Sequence, residues 1–178
     1  MLNKLAEMKK VIDGVMKVEA VIPGKDCKKH KELADARSNL FKNLNEKKEA
    51  SAPVPLAVMG KKAELLVEIA DGPLAETAGL AGRDNLPNDR GMLFKRADAF
   101  WMKGVNFDLD IMFTDKTGEV RDIQTMAKLN DGDYPVIYRP SDKTASIAIE
   151  APAGWCESNN VDVGDRVIVH GGNSDYTK

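Results

Sequence analysis

The stretch that decides the fold is Gly91–Phe113, GMLFKRADAFWMKGVNFDLDIMF. It places two apolar runs around a short polar turn and carries the densest aromatic cluster of a chain in which only 6% of residues are aromatic. The spacing predicts a hairpin, with Met92–Lys103 and Phe107–Thr114 as its arms and Gly104-Val105-Asn106 as its turn. Outward from it the same texture continues. Ala63–Ala70 (AELLVEIA) reads as a strand ended by Asp71-Gly72-Pro73, and Gly79–Arg83 with Leu86–Arg90 as loop or short helical turn. After the Asp115–Gly118 turn (DKTG) a return strand runs through Val120 and Ile123. Val136–Tyr138, Ser146–Glu150 and Val167–Val169 complete the series. Many short strands at such spacing predict an antiparallel sheet curled toward a barrel.

The first fifty residues have a different texture. Leu2, Leu5, Met8, Ile12, Val15 and Met16 recur at three- and four-residue steps, the pattern of an amphipathic helix, punctuated at Pro23-Gly24. Leu33, Leu40, Phe41 and Leu44 form a second stripe, closed by Ser51-Ala52-Pro53. Neither stripe is broad enough to stand alone, and a short helical hairpin is marginal in water. The expected class is therefore α+β, mostly β: a helical hairpin or arm over residues 1–52, then an antiparallel β-barrel-like domain over 53–178. The arm is expected to dock on a protein partner or a second copy through Leu2, Leu5, Ile12, Leu40, Phe41 and Leu44.

Composition excludes more than it assigns. The 178 residues are 43% apolar and 30% charged, with a net charge of −2, as in ordinary globular domains. Residues 1–50 hold 12 Lys/Arg against 8 Asp/Glu, and the remainder 14 against 20. A mildly basic arm on an acidic body is far from a nucleic-acid-binding composition. The lysines of the second stripe are matched by Glu32, Asp35, Glu46 and Glu49, which fits a solvated helix face. Cys27 and Cys156, with His30 and His170, cannot assemble a zinc site of the usual spacing, and no metal or cofactor is expected. Two isolated cysteines, no apolar run of membrane-spanning length and a charged start predict a cytosolic chain.

Candidate chemistry gathers around the hairpin. Asp108 and Asp110 lie two apart in a predicted strand and so project from one face, a spacing suited to a divalent cation or shared acid–base work. The plainer alternative is a solvated strand face. Trp101 and Lys103 alternate with Phe100 and Met102, and can share that face with the aspartates; Arg83 from the preceding loop adds an anion-binding element. Together they make a candidate pocket for a small polar ligand. Its alternative is a core aromatic with a stem-packed lysine and a structural Arg83–Asp110 or Lys103–Asp110 ion pair. Cys156 has no histidine near it in sequence, and Gly171-Gly172 lacks the strand–loop–helix context of a phosphate cradle.

The body resembles the small bacterial and phage-borne domain-of-unknown-function family 192. The matching residues are Gly79-Leu80, Arg83, Leu86-Pro87, Gly91-Met92-Leu93-Phe94, Phe100-Trp101-Met102-Lys103, Leu109-Asp110-Ile111, Phe113, Gly118, Val120, Glu150, Ala153-Gly154-Trp155, Gly164-Asp165 and Val167. The chain departs from the family pattern at Ala81, Gly104-Val105 and Asp108, and has a charged arm where many relatives carry an export signal. The resemblance implies a compact, mostly antiparallel β-barrel-like fold and brings no established activity. The expectation drawn from all this is a non-enzymatic structural or assembly module anchored by its arm. Its most concrete version, given phage-borne relatives, is a virion component such as a capsid cement or head–tail protein. The alternative is a small-ligand-binding or hydrolytic domain built on Arg83, Trp101, Lys103 and Asp110.

Overall fold

The computed structural model describes residues 52–130 and 132–170. The arm expected over residues 1–52, with its docking residues Leu2, Leu5, Ile12, Leu40, Phe41 and Leu44, lies outside these apart from its last position, as do Cys27, His30 and Gly171-Gly172. Seven strands form one sheet: β1 (Val54–Val58), β2 (Glu64–Ala70), β3 (Arg90–Phe94), β4 (Leu109–Thr114), β5 (Val120–Met126), β6 (Ile147–Pro152) and β7 (Val167–Val169). Two short helices, α1 (Pro73–Ala78) and α2 (Trp155–Ser158), are the helical elements among the described residues. The strand order is β5-β4-β6-β3-β2-β1-β7.

Five of the six strand pairs are antiparallel, but β2 and β3 run parallel, with Val67 opposite Gly91 and Ile69 opposite Leu93. The sheet is thus mostly antiparallel, as the family resemblance implied, with one parallel pair that the strand spacing did not indicate. Parallel neighbours need a crossover, and residues 71–89, including α1, supply it. Pro73 opens α1 at a position where its missing N–H costs nothing.

The expected hairpin over 92–114 does not form. β3 and β4 are separated by β6, which pairs with both: Met92 faces Glu150 on one side, and Ile111 faces Glu150 on the other. Residues 95–108 are loop, pinned where Phe100 and Tyr138 exchange backbone bonds of 2.9 Å. The β4–β5 hairpin around DKTG does form. Its turn is held by Asp115, which accepts from the Thr117 and Glu119 amides and from Arg121.

Apolar residues alternate between two clusters. One takes side chains from all seven strands, among them Leu56, Val67, Leu93, Met112, Ile123, Ile149 and Val167, and fills the concave side. The other, with Met92, Phe94, Ile111, Phe113 and Ala148, lies on the outer face under Leu80, Met102 and Val105. Both faces of β3, β4 and β6 are thus covered, which is why GMLF, LDIMF and SIAI read as continuous apolar runs. The sheet curls until its edge strands meet at one end. There Val120 donates to the Asp165 carbonyl (2.7 Å), Gly164 to that of Val120 (2.8 Å) and Val167 to that of Gly118 (2.9 Å). The result is a mostly-β half-barrel.

Candidate functional site

The outer face of β3 and β6 is not fully roofed. Between α1 and the 95–105 loop lies a cleft of about 300 Å³, with Phe94 and Glu150 from the sheet, Leu80 and Ala81 from the turn after α1, and Phe100, Trp101 and Lys103 from the loop. Its two banks are stapled together by the Gly82 amide, which donates to the Gly104 carbonyl at 2.8 Å. Gly104 has φ +80° and packs closely on Ala81, a backbone geometry that suits glycine.

Glu150 is the unusual member. It shares the outer face of β6 with Ala148, between Met92 and Ile111, and is only 6% exposed. Its Oε2 accepts no hydrogen bond among the described residues. Burial pushes its carboxyl up to about 8, against an ordinary value of 4.5, and the charge of Arg83 pulls only partly the other way. Arg83 does not relieve it further because its two terminal nitrogens donate to Glu68, each at 2.7 Å. At neutral pH the cleft therefore presents an acid that is mostly protonated, able both to donate and to accept.

The walls are aromatic. Phe94 and Phe100 meet edge to face with centroids 5.0 Å apart, and Phe100 meets Phe113 at 5.8 Å. At the rim Arg96 bonds Glu76 at 3.0 Å and approaches Asp98 at 3.6 Å.

Of the residues expected to form a pocket, Trp101 and Lys103 line this cleft, and Arg83 stands beside it, bound to Glu68 and not to Asp110. Asp108 and Asp110 are elsewhere and do not form a carboxylate pair. Asp108 is exposed, precedes β4 and accepts from the Lys128 amide at 2.8 Å. Asp110 is 3% exposed and sits on the concave side, opposite Ala151. It accepts from Thr125 Oγ1 at 3.0 Å and from the Cys156 amide at 3.1 Å, which fixes the start of α2 against β4. The face expected to be open is covered by α2. Among the described residues no three His, Cys, Asp or Glu side chains converge as metal ligands, and no helix is long and apolar enough to cross a membrane.

Sequence reasoning missed the role of Glu150. The signal was present: an acid in step with Ala148 at the end of an apolar run whose two faces are both buried. A wider depression of about 740 Å³ lies by Trp155 and Asn159. Its Lys61 is already bonded to Asp165 and to the Asn160 carbonyl, so it offers no comparable orphan group.

The fold is a curled half-barrel with a partly roofed outer face and a buried acid at its cleft. The chain belongs to the DUF192 family, whose model, described as an uncharacterized ACR, matches residues 55–169. Two solved structures share the fold. One, from Sinorhizobium meliloti and provisionally labelled a transcription regulator, is 25% identical; the match covers 68% of this chain and 97% of that one, with a TM-score of 0.58. The other, from Novosphingobium aromaticivorans and described as of unknown function, is 24% identical over 67% and 94% of the two chains, with a TM-score of 0.55. No curated protein matches the chain significantly.

Proposed function

We propose that this domain is a binding module for a small polar molecule, taken into the cleft between α1 and the 95–105 loop. One observation carries the reading: the Glu150 carboxyl is buried at the cleft with an oxygen that no group among the described residues bonds. Leaving such a group without a partner costs on the order of 1–3 kcal/mol, and buried polar groups in folded proteins are nearly always satisfied. A ligand that bonds Glu150 recovers that cost. The volume suits a compact molecule, and apolar walls with a few polar groups are the usual makeup of a small-molecule site.

Titrating the labelled protein with a library of small polar fragments, followed by amide and Trp side-chain NMR, tests this. Shifts confined to Phe94, Phe100, Trp101, Lys103 and Glu150, and lost in Glu150→Leu, are expected. A folded protein whose cleft resonances respond to no fragment overturns the reading.

Assembly through the N-terminal arm, including the virion version, is a separate reading supported by the apolar stripes of residues 1–52 and is compatible with a ligand-binding body. Sedimentation of the full chain against residues 53–178 tests it, with a loss of self-association on truncation as the expected outcome.

A further inference from the structure

Resting on the reading of the cleft as a ligand site, we infer that its ligand is a small organic cation, a primary ammonium or guanidinium, that takes the Glu150 carboxylate as its counter-ion. The charged groups around Glu150 support this one by one. Arg83, the cation whose field reaches Glu150, is engaged by both oxygens of Glu68 on β2. At the rim, Arg96 is engaged by Glu76 from α1 and by Asp98 from the loop. Lys103 completes the charged lining. The two rim acids thus share a cation already, whereas Glu150 keeps an oxygen without a donor among the described residues. An incoming N–H donor with a positive charge satisfies that oxygen and stabilises its ionised form together.

The walls point the same way. Trp101, Phe94 and Phe100 line the cleft, and aromatic faces attract ammonium and guanidinium groups, most strongly in desolvated sites. An anion entering here meets Glu76, Asp98 and Glu150 against Arg96 and Lys103, and gains nothing from the ring faces. A neutral polyol bonds the protonated acid but gains nothing from the ring quadrupoles.

The exchange balances as one proton for one cation. The Glu150 carboxylic acid releases its proton to solvent, and the ligand, protonated throughout, takes its place beside the carboxylate. Binding should therefore tighten by about tenfold per pH unit below the acid's titration and level off above it, near pH 8.

Isothermal titration of the full chain with butylamine and agmatine, against butyrate, 1-butanol and xylose, tests the assignment. The expected result is amine binding that strengthens between pH 6 and 8, with close to one proton released at pH 6.5, measured as a dependence of the heat on buffer ionisation enthalpy. Glu150→Gln should weaken it at least tenfold and abolish the proton release, while melting as cooperatively as the parent. The proton count in the parent protein stands even if the variant folds poorly. Amine binding that ignores pH, or that survives in a folded E150Q protein, overturns the inference. Cleft binding of xylose, 1-butanol or butyrate with the amines inert overturns it while leaving the binding module intact. Silence from every probe overturns both.

Discussion

Arg83 donates from Nη1 to Oε1 of Glu68 and from Nη2 to Oε2, both at 2.7 Å, a two-pronged pair that holds the turn after α1 against β2. The pair occupies both carboxylate oxygens and both terminal nitrogens, so Arg83 acts on Glu150 through its field and not through a bond. Substituting Arg83→Gln removes that field. The Glu150 carboxyl should then titrate above its present value of about 8, which carbon-13 NMR of the side-chain carboxyl would read directly.

The same carboxyl makes stability depend on pH. Its value is raised on folding, from 4.5 to about 8, so the folded state holds a proton that the unfolded chain has released. Its contribution is fully present below about pH 4.5 and is lost as pH rises through 8. Between pH 5 and 8 the loss is on the order of 4 kcal/mol. Denaturant melts of the parent should fall away across that window relative to Glu150→Gln, whose profile should lack this component.

Asp115 behaves oppositely. Burial works to raise its carboxyl, but bonds from Arg121, Thr117 and Glu119 hold it well below the usual carboxylate range. Its contribution is present above the ordinary value of 3.8 and fades as pH falls toward the folded-state value. Asp115→Ala should cost about 2–3 kcal/mol at pH 7, and the gap between variant and parent should narrow in melts below about pH 4.

Gly91 lets three strands come together. A Cβ there would stand 2.5 Å from the Glu150 carbonyl oxygen and 3.3 Å from Val67 Cγ1. The clash is with backbone, so β6 has to shift. Gly91→Ala should destabilise the fold by about 2 kcal/mol and disturb Glu150 resonances more than those of β7, as comparison of the two spectra would show.

The thiol of Cys156 is buried beside the Asp110 carboxylate, and burial first, then that charge, pushes it up to about 12. In a Cys27→Ser background it should resist a disulfide reagent at pH 8 while folded and react once denaturant opens the domain.

The legible parts of the fold were those governed by neighbours in sequence. β2, β6 and β7 show as apolar runs between turn residues, and the β4–β5 hairpin shows because DKTG supplies its own stabilising contacts at Asp115. The hairpin expected over 92–114 failed for a non-local reason: β6 inserts between β3 and β4, and nothing within 92–114 records its arrival. β1 escaped notice because Pro53 and Pro55 read as breakers. Yet the Pro55 carbonyl accepts from His170, so its nitrogen also faces the β7 side, where β7 has already ended, and pairing with β2 is untouched. Trp101 and Lys103 could be placed together from their alternation with Phe100 and Met102. Asp110 misled because α2, which covers it, comes from residues 155–158. Glu150 was missed although its place in step with Ala148, at the end of an apolar run, marked it; that its carboxyl is left without a donor belongs to the tertiary arrangement of the described residues.

The junction of Glu119 with Arg166, flanked by the Val120, Gly164 and Val167 amide bonds, roots β5 at its first residue only. Toward Met126 its backbone ladder is with β4, and the Asp122 and Gln124 side chains reach across to Ser141 and Arg139. Thermal breathing then has a preferred origin and direction, a zipper that opens from Met126 and stops at Val120. Deuterium uptake should trace it as a gradient along a single strand, quick at the tip and slow at the root.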